Sequence, residues 1–124
     1  MKKAIILLVA LIIGGFVTYN HFYNGFSNID QITIKNTKEE NEKPIIISDK
    51  GEIKKITRIL NRAESSNERY KFVNKEDFEL TILYRNNREE TFFVHAYFRG
   101  DKTLLYGEHS YFIRQTYNKM LRIE

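Results

Sequence analysis

The stretch "FELTILYRNNREETFFVHAYF" (residues 78–98) decides the fold. Phe78, Leu80, Ile82 and Tyr84 fall on one face of an extended chain, at the period of two that a strand requires. Asn86-Asn87 follows, and asparagine tolerates the positive φ of a tight hairpin turn. After the turn, Phe92, Val94, Ala96 and Phe98 share one face, and Phe93, His95 and Tyr97 share the other. The two segments predict an antiparallel hairpin. Its second strand carries aromatic residues on both faces, more than one buried face needs.

On the C-terminal side, "RGDK" (99–102) reads as a turn, "TLLYG" (103–107) as a strand and "HSYFI" (109–113) as another. "RQTYNKMLRI" (114–123) predicts a closing helix with Tyr117, Met120 and Leu121 facing inward. On the N-terminal side, "SSNERYKFVNKED" (65–77) is mostly loop. Before it, "SDKGEIKKITRILNRAE" (48–64) changes period. Asp49 is suited to cap a helix, and Glu52 three residues later completes a capping-box pattern. Ile53, Ile56, Ile59, Leu60 and Ala63 fall on one side at 3.6 residues per turn, and Lys54, Lys55, Arg58 and Arg62 on the other. "IDQITIKN" (29–36) alternates Ile32 and Ile34 with polar neighbours, and "IIIS" (45–48) is a short β-branched run. Both predict strands, separated by the polar loop "TKEENEKP" (37–44). The order implies an α+β domain: an antiparallel sheet of about 4–6 strands with one or two helices packed on a face.

The chain has 124 residues. Setting aside residues 1–23 leaves about 100, room for one small domain with one core. The formal charge of +4 includes Lys2 and Lys3; the remainder carries 18 basic and 16 acidic residues. So mild an excess argues against nucleic acid, which calls for a concentrated basic patch. The absence of cysteine excludes disulfides, thiolate metal sites, cysteine nucleophiles and a lipid attached to cysteine.

"MKKAIILLVALIIGGFVTYNHFY" (1–23) couples two lysines to an apolar run. Lysines flanking such a run stay on the cytoplasmic side, so the chain beyond it is expected to face outward. A cleaved signal needs small residues in an A-x-A-like pair. Gly14 with Phe16, Gly15 with Val17 and Tyr23 with Gly25 each supply only one. Ala4 to Tyr23 is about the 20 residues that cross a bilayer, and Tyr19, Phe22 and Tyr23 suit the interfacial aromatic belt. The expectation is an uncleaved single-pass anchor over 1–23, a short tether over 24–28 and an extracytoplasmic domain over 29–124.

Motifs that carry chemistry are scarce. No P-loop, G-x-G-x-x-G or G-x-S-x-G is present. His95 and His109, with Asp101 and Glu108, are the residues from which a metal site or acid–base pair could be built, but no H-E-x-x-H spacing supports one. A solvated or half-buried strand histidine is the plainer reading. The acidic pairs Glu39-Glu40, Glu76-Asp77 and Glu89-Glu90 lie in loops or at strand starts, and the RGD triplet at 99–101 serves turn geometry. No cofactor is implied, and the expectation is a protein that is not an enzyme. Two candidate binding surfaces stand out. One is the basic stripe Lys54, Lys55, Arg58 and Arg62, able to meet an anionic envelope polymer or lipid headgroups. The other is an aromatic patch of Phe93, Tyr97 and Tyr106.

The strand-to-helix unit "ISDKGEIKKITRILNRAE", the hairpin "DFELTILYRNNREETFFV" and the ending "HSYFIRQTYNKMLRI" together resemble small extracytoplasmic domains of Gram-positive bacteria, anchored by an N-terminal helix or a lipidated cysteine. This chain departs from the lipoprotein type by lacking the cysteine. The resemblance implies location and fold and brings no catalytic residues. The function expected is binding of an envelope component or protein partner by a membrane-anchored domain. The alternative is an immunity or regulatory protein masking a secreted or membrane toxin or enzyme. A hydrolase using His95 or His109 ranks third.

Overall fold

The computed structural model describes residues 2–22, 24–39, 41–72 and 74–123, and for residues 14–22 the backbone path alone. Helix α1 (Lys2–Phe22) precedes strands β1 (Ile29–Asn36) and β2 (Ile45–Ile47). Helix α2 (Lys50–Arg62) leads to β3 (Glu64–Ser66), and β4 (Phe78–Tyr84), β5 (Glu89–Arg99), β6 (Lys102–Tyr106) and β7 (Ser110–Arg114) complete the sheet. All seven strands join one antiparallel sheet in the order β2-β1-β4-β5-β6-β7-β3. The α+β class stands, with seven described strands rather than about 4–6.

The extra strand is β3, in a segment expected to be loop. Glu64, Ser65 and Ser66 pair with Phe112, Tyr111 and Ser110 along the edge of β7. This polar triplet lacks strand propensity; an unpaired edge accepts it through backbone hydrogen bonds, with Glu64 pairing Lys102 and Ser66 bonding Tyr70 beside it. The connection explains the architecture. β2 lies at one edge of the sheet and β3 at the other, so α2 must cross a face between them. Its 13 residues span about 20 Å, enough to cover the middle strands. On the way back to β4, Tyr70 and Phe72 lie on the opposite face, against His95, Phe98 and Phe112.

The core lies between α2 and the sheet. Ile53, Ile56 and Leu60 of α2 pack on Ile32, Ile34, Leu80, Ile82, Phe92, Val94 and Leu105, all buried. Asp49 caps α2, its Oδ2 accepting the Glu52 N–H at 2.9 Å. Glu52 does not return the bond as a capping box would; its carboxylate reaches Arg122 at 3.4 Å.

The hairpin of β4 and β5 forms as expected up to His95, and then the alternation breaks. His95 pairs with Leu104, and Arg99 with Lys102, so β5 carries two more residues than β6 between these pairs. Tyr97 takes a left-handed conformation (φ 56°). Asp77 Oδ2 accepts the Ala96 N–H at 2.9 Å, holding the bulge. Phe98 therefore leaves the Phe92–Val94 face and joins Tyr70, Phe72 and Phe112 on the other.

The closing helix is also corrected. Gln115–Tyr117 form a 3₁₀ turn, Leu121 N–H bonds Tyr117 O, and Arg122 adopts φ 59°, ending the turn and redirecting the chain. Leu121 and Ile123 are buried, whereas Tyr117 and Met120 are 40 % and 46 % exposed. The helical period misled because Asn118 is the inward residue, its Oδ1 accepting from Thr103 Oγ1 at 2.9 Å.

Residues 24–28, expected as a tether, are docked. Asn24 Nδ2 donates to Leu60 O and Ala63 O, each at 2.8 Å, and Asn24 N–H bonds Asn61 O at 3.1 Å. Phe26 is buried, its N–H and C=O both bonded by the Asn61 side chain at 2.6 and 2.9 Å. Among the described residues no helix is long and apolar enough to cross a membrane. The outer third of the expected anchor, including the side chains of Tyr19, Phe22 and Tyr23, lies outside what is described.

Candidate anion-binding surface

Because α2 lays its isoleucines on the sheet, Lys54, Lys55, Arg58 and Arg62 are all exposed. They do not act as one stripe. The helix divides them between two flanking clefts, with Arg58 and Arg62 on the ridge lining both.

The first cleft, of about 650 Å³, lies between α2, the free end of β7 and the C-terminal turn. Lys55, Arg58 and Arg62 meet Lys102 and Arg114 there, over a floor that includes Ile59, Ala63, Ile113 and Met120. Lys102 is paired with Glu64 at 2.7 Å. Among the described residues, the ion pairs are this one, Lys38 with Asp77 and Arg122 with Glu52. None involves Lys55, Arg58, Arg62 or Arg114. Glu64 also lines the cleft, on Lys102, and the other four cations rim an apolar floor with no ion pair to a carboxylate among the described residues, an arrangement suited to an anionic group carrying an apolar or sugar-like backbone.

The second cleft, of about 1020 Å³, lies between α2 and the start of β1. Lys50, Lys54, Arg58, Arg62 and Arg85 line it, with Asp30 as the one carboxylate. Lys102 and Arg114 of the first cleft, and Lys50 and Arg85 of the second, were not marked by sequence reading. Lys102 and Arg114 are cross-strand partners, so a correct register for β6 and β7 places them together. Nothing local in the sequence signals that α2 ends beside them.

The aromatic residues divide differently. Phe93 and Tyr97 are 41 % and 61 % exposed. Tyr106, opposite Phe93 in the register, is half-buried against Phe72 with ring centroids 4.9 Å apart. Tyr70 and Phe72 therefore cover this face over His95, Phe98 and Tyr106, and Phe93 is its exposed rim. Arg99 of the RGD triplet lies over the rings of Phe112 and Tyr70, 5.5 and 6.0 Å from their centroids, and Gly100 has φ 59°.

His95 is buried under Phe72, the rings parallel (4°) with centroids 4.0 Å apart. Burial pushes its pKa below the ordinary 6.5, opposed by the carboxylates of Asp77 and Glu76. His109 is exposed. No group of three His, Asp or Glu residues is placed to hold a metal among the described residues.

Fold and surface together define a small antiparallel α+β domain, entered from an apolar helix, with cation-lined clefts along one packed helix. The chain belongs to the YhfM protein family, whose model matches residues 26–123. That match begins at Phe26, the first of the described residues to be buried in the core. No curated protein and no solved structure matches the chain.

Proposed function

We propose that this protein is a membrane-anchored extracytoplasmic domain that acts by binding, not catalysis, and that its ligand is an anionic component of the cell envelope held in the cleft between α2 and the C-terminal turn. The observation that carries this reading is the convergence of Lys55, Arg58, Arg62 and Arg114 over an apolar floor. The anchor is supported by α1 itself. Its 21 residues extend about 31 Å, and its large apolar side chains from Ile5 to Ile13 are 49–69 % exposed, packed on no face of the domain. Side chains are described from Lys2 to Ile13, too few to span alone, and the proposed span takes in Gly14 to Phe22 of the same helix. Surrounding such side chains with lipid removes a hydrophobic cost of roughly 1.5–3 kcal/mol each.

Reversing Lys55 and Arg114 to glutamate is expected to abolish salt-sensitive retention on a phosphate-rich envelope polymer, with the intact protein still recovered in the membrane fraction. Unchanged retention would remove the cleft as the site, and recovery in the cytosol would remove the anchor. The second reading is an immunity or regulatory protein. It is favoured by Phe93, exposed on the sheet face opposite α2, and by Tyr97, exposed at the bulge of β5. Its test is protection against a partner toxin that is lost on Tyr97→Ala and retained on Lys55→Glu.

A further inference from the structure

The link between α1 and the domain is fixed at a chosen place. Asn24 donates to Leu60 O and Ala63 O, satisfying carbonyls at the C-terminus of α2, and Asn61 holds both backbone groups of Phe26. Only Tyr23 separates Asn24 from Phe22, the last residue of α1, so their Cα atoms are at most about 7 Å apart. The end of the apolar helix is thus the neighbour of Arg62 and Arg58, one turn apart on α2.

We propose that the flank of α2 formed by Lys54, Arg58 and Arg62, with Lys50 and Arg85, rests on the anionic headgroups of the membrane that α1 spans. This rests on the anchor reading of α1. Two independent features carry it. A two-residue step from helix to docked Asn24 leaves the domain no length in which to stand away from the surface. The cleft beside that step holds five cations against the carboxylate of Asp30, a sign complementary to phosphate headgroups. In this arrangement α2 lies toward the bilayer, and the sheet face bearing Phe93 lies away from it.

The chain has no cysteine, so single-cysteine labels are specific. The full-length protein carrying a fluorophore at Ser48→Cys, beside the second cleft, or at Asn41→Cys, past the far end of β1, would be placed in phosphatidylcholine vesicles with and without phosphatidylglycerol, each containing a headgroup-attached quencher. With phosphatidylglycerol, position 48 is expected to be quenched more strongly than position 41. The difference should be lost in phosphatidylcholine alone and with Arg58→Glu/Arg62→Glu, and reduced with the neutral pair Arg58→Gln/Arg62→Gln. Equal quenching at the two positions in phosphatidylglycerol vesicles, or a difference indifferent to both charge variants, would overturn the proposal while leaving the anchor intact. Protein that floats with neither kind of vesicle would overturn the anchor reading and the proposal with it.

Discussion

Asn61 is a polar residue inside an apolar helix face, and its neighbours explain it. Its side chain closes two hydrogen bonds with the backbone of Phe26, so the chain entering the domain is spliced to α2 as a strand would be to its partner. Asn61→Ala removes both bonds in a buried place and is expected to cost about 2–3 kcal/mol, read from the midpoint of urea unfolding. His95 is the other informative residue. The folded state holds it neutral beneath Phe72, with its pKa below 6.5, while the unfolded chain binds the proton more readily. Its contribution to stability is therefore complete above about pH 6.5 and falls as the pH drops toward the depressed folded value. Thermal unfolding between about pH 7.5 and 5.5 should show a larger loss of Tm in the native protein than in His95→Phe. Equal slopes would mean that His95 titrates alike in both states.

At the scale of elements, β5 and β6 show how a strand can be legible and its ending not. The alternation from Phe92 to His95 is regular, and the sequence places these side chains correctly. The two-residue bulge that follows depends on Asp77, 19 positions before Ala96, reaching its N–H. No local pattern around Ala96 announces that partner. Gly107, just past the end of β6, makes a tight contact of its own. A Cβ on Gly107 would sit 2.9 Å from Phe92 Cδ1 and 3.3 Å from Thr91 O, and Phe92 is fully buried. Gly107→Ala should push Phe92 within the core and cost about 1–3 kcal/mol, measured by denaturant unfolding. A neutral result would show that the end of β6 yields instead. α2, by contrast, was readable from Asp49 to Ala63, because its cap and its apolar period both lie within its own residues.

For the whole molecule, the consequence of the docked link is a folded unit that reaches back to Asn24. A fragment of residues 24–124 is expected to unfold cooperatively. A fragment of residues 29–124 lacks Phe26 and the Asn24 bonds and should be about 3–5 kcal/mol less stable, seen as a lower urea midpoint. Equal midpoints would show that residues 24–28 merely lie on the surface. The same geometry bears on function. If α1 is an anchor as proposed, a flexible spacer would let the domain tumble above the membrane, whereas a spliced one gives it a near side, α2 with its cations, and a far side, the rim at Phe93.

By itself the sequence determined the antiparallel α+β class, the amphipathic helix, the central hairpin and the candidate cations, since each rests on periodicity, capping and turn chemistry within a few residues. The absence of cysteine likewise closed off thiol chemistry without any coordinates. Only the tertiary structure decided that a serine-rich segment becomes an edge strand, that Phe72 stacks on the second face and so buries His95, and that Lys102 and Arg114 join Lys55 in one cleft. It also decided that the supposed tether is part of the core. These depend on contacts between residues far apart in the chain, such as Asn24 with Leu60 and Glu64 with Phe112, whose pairing is settled by the packed sheet and helix and leaves no local period to read.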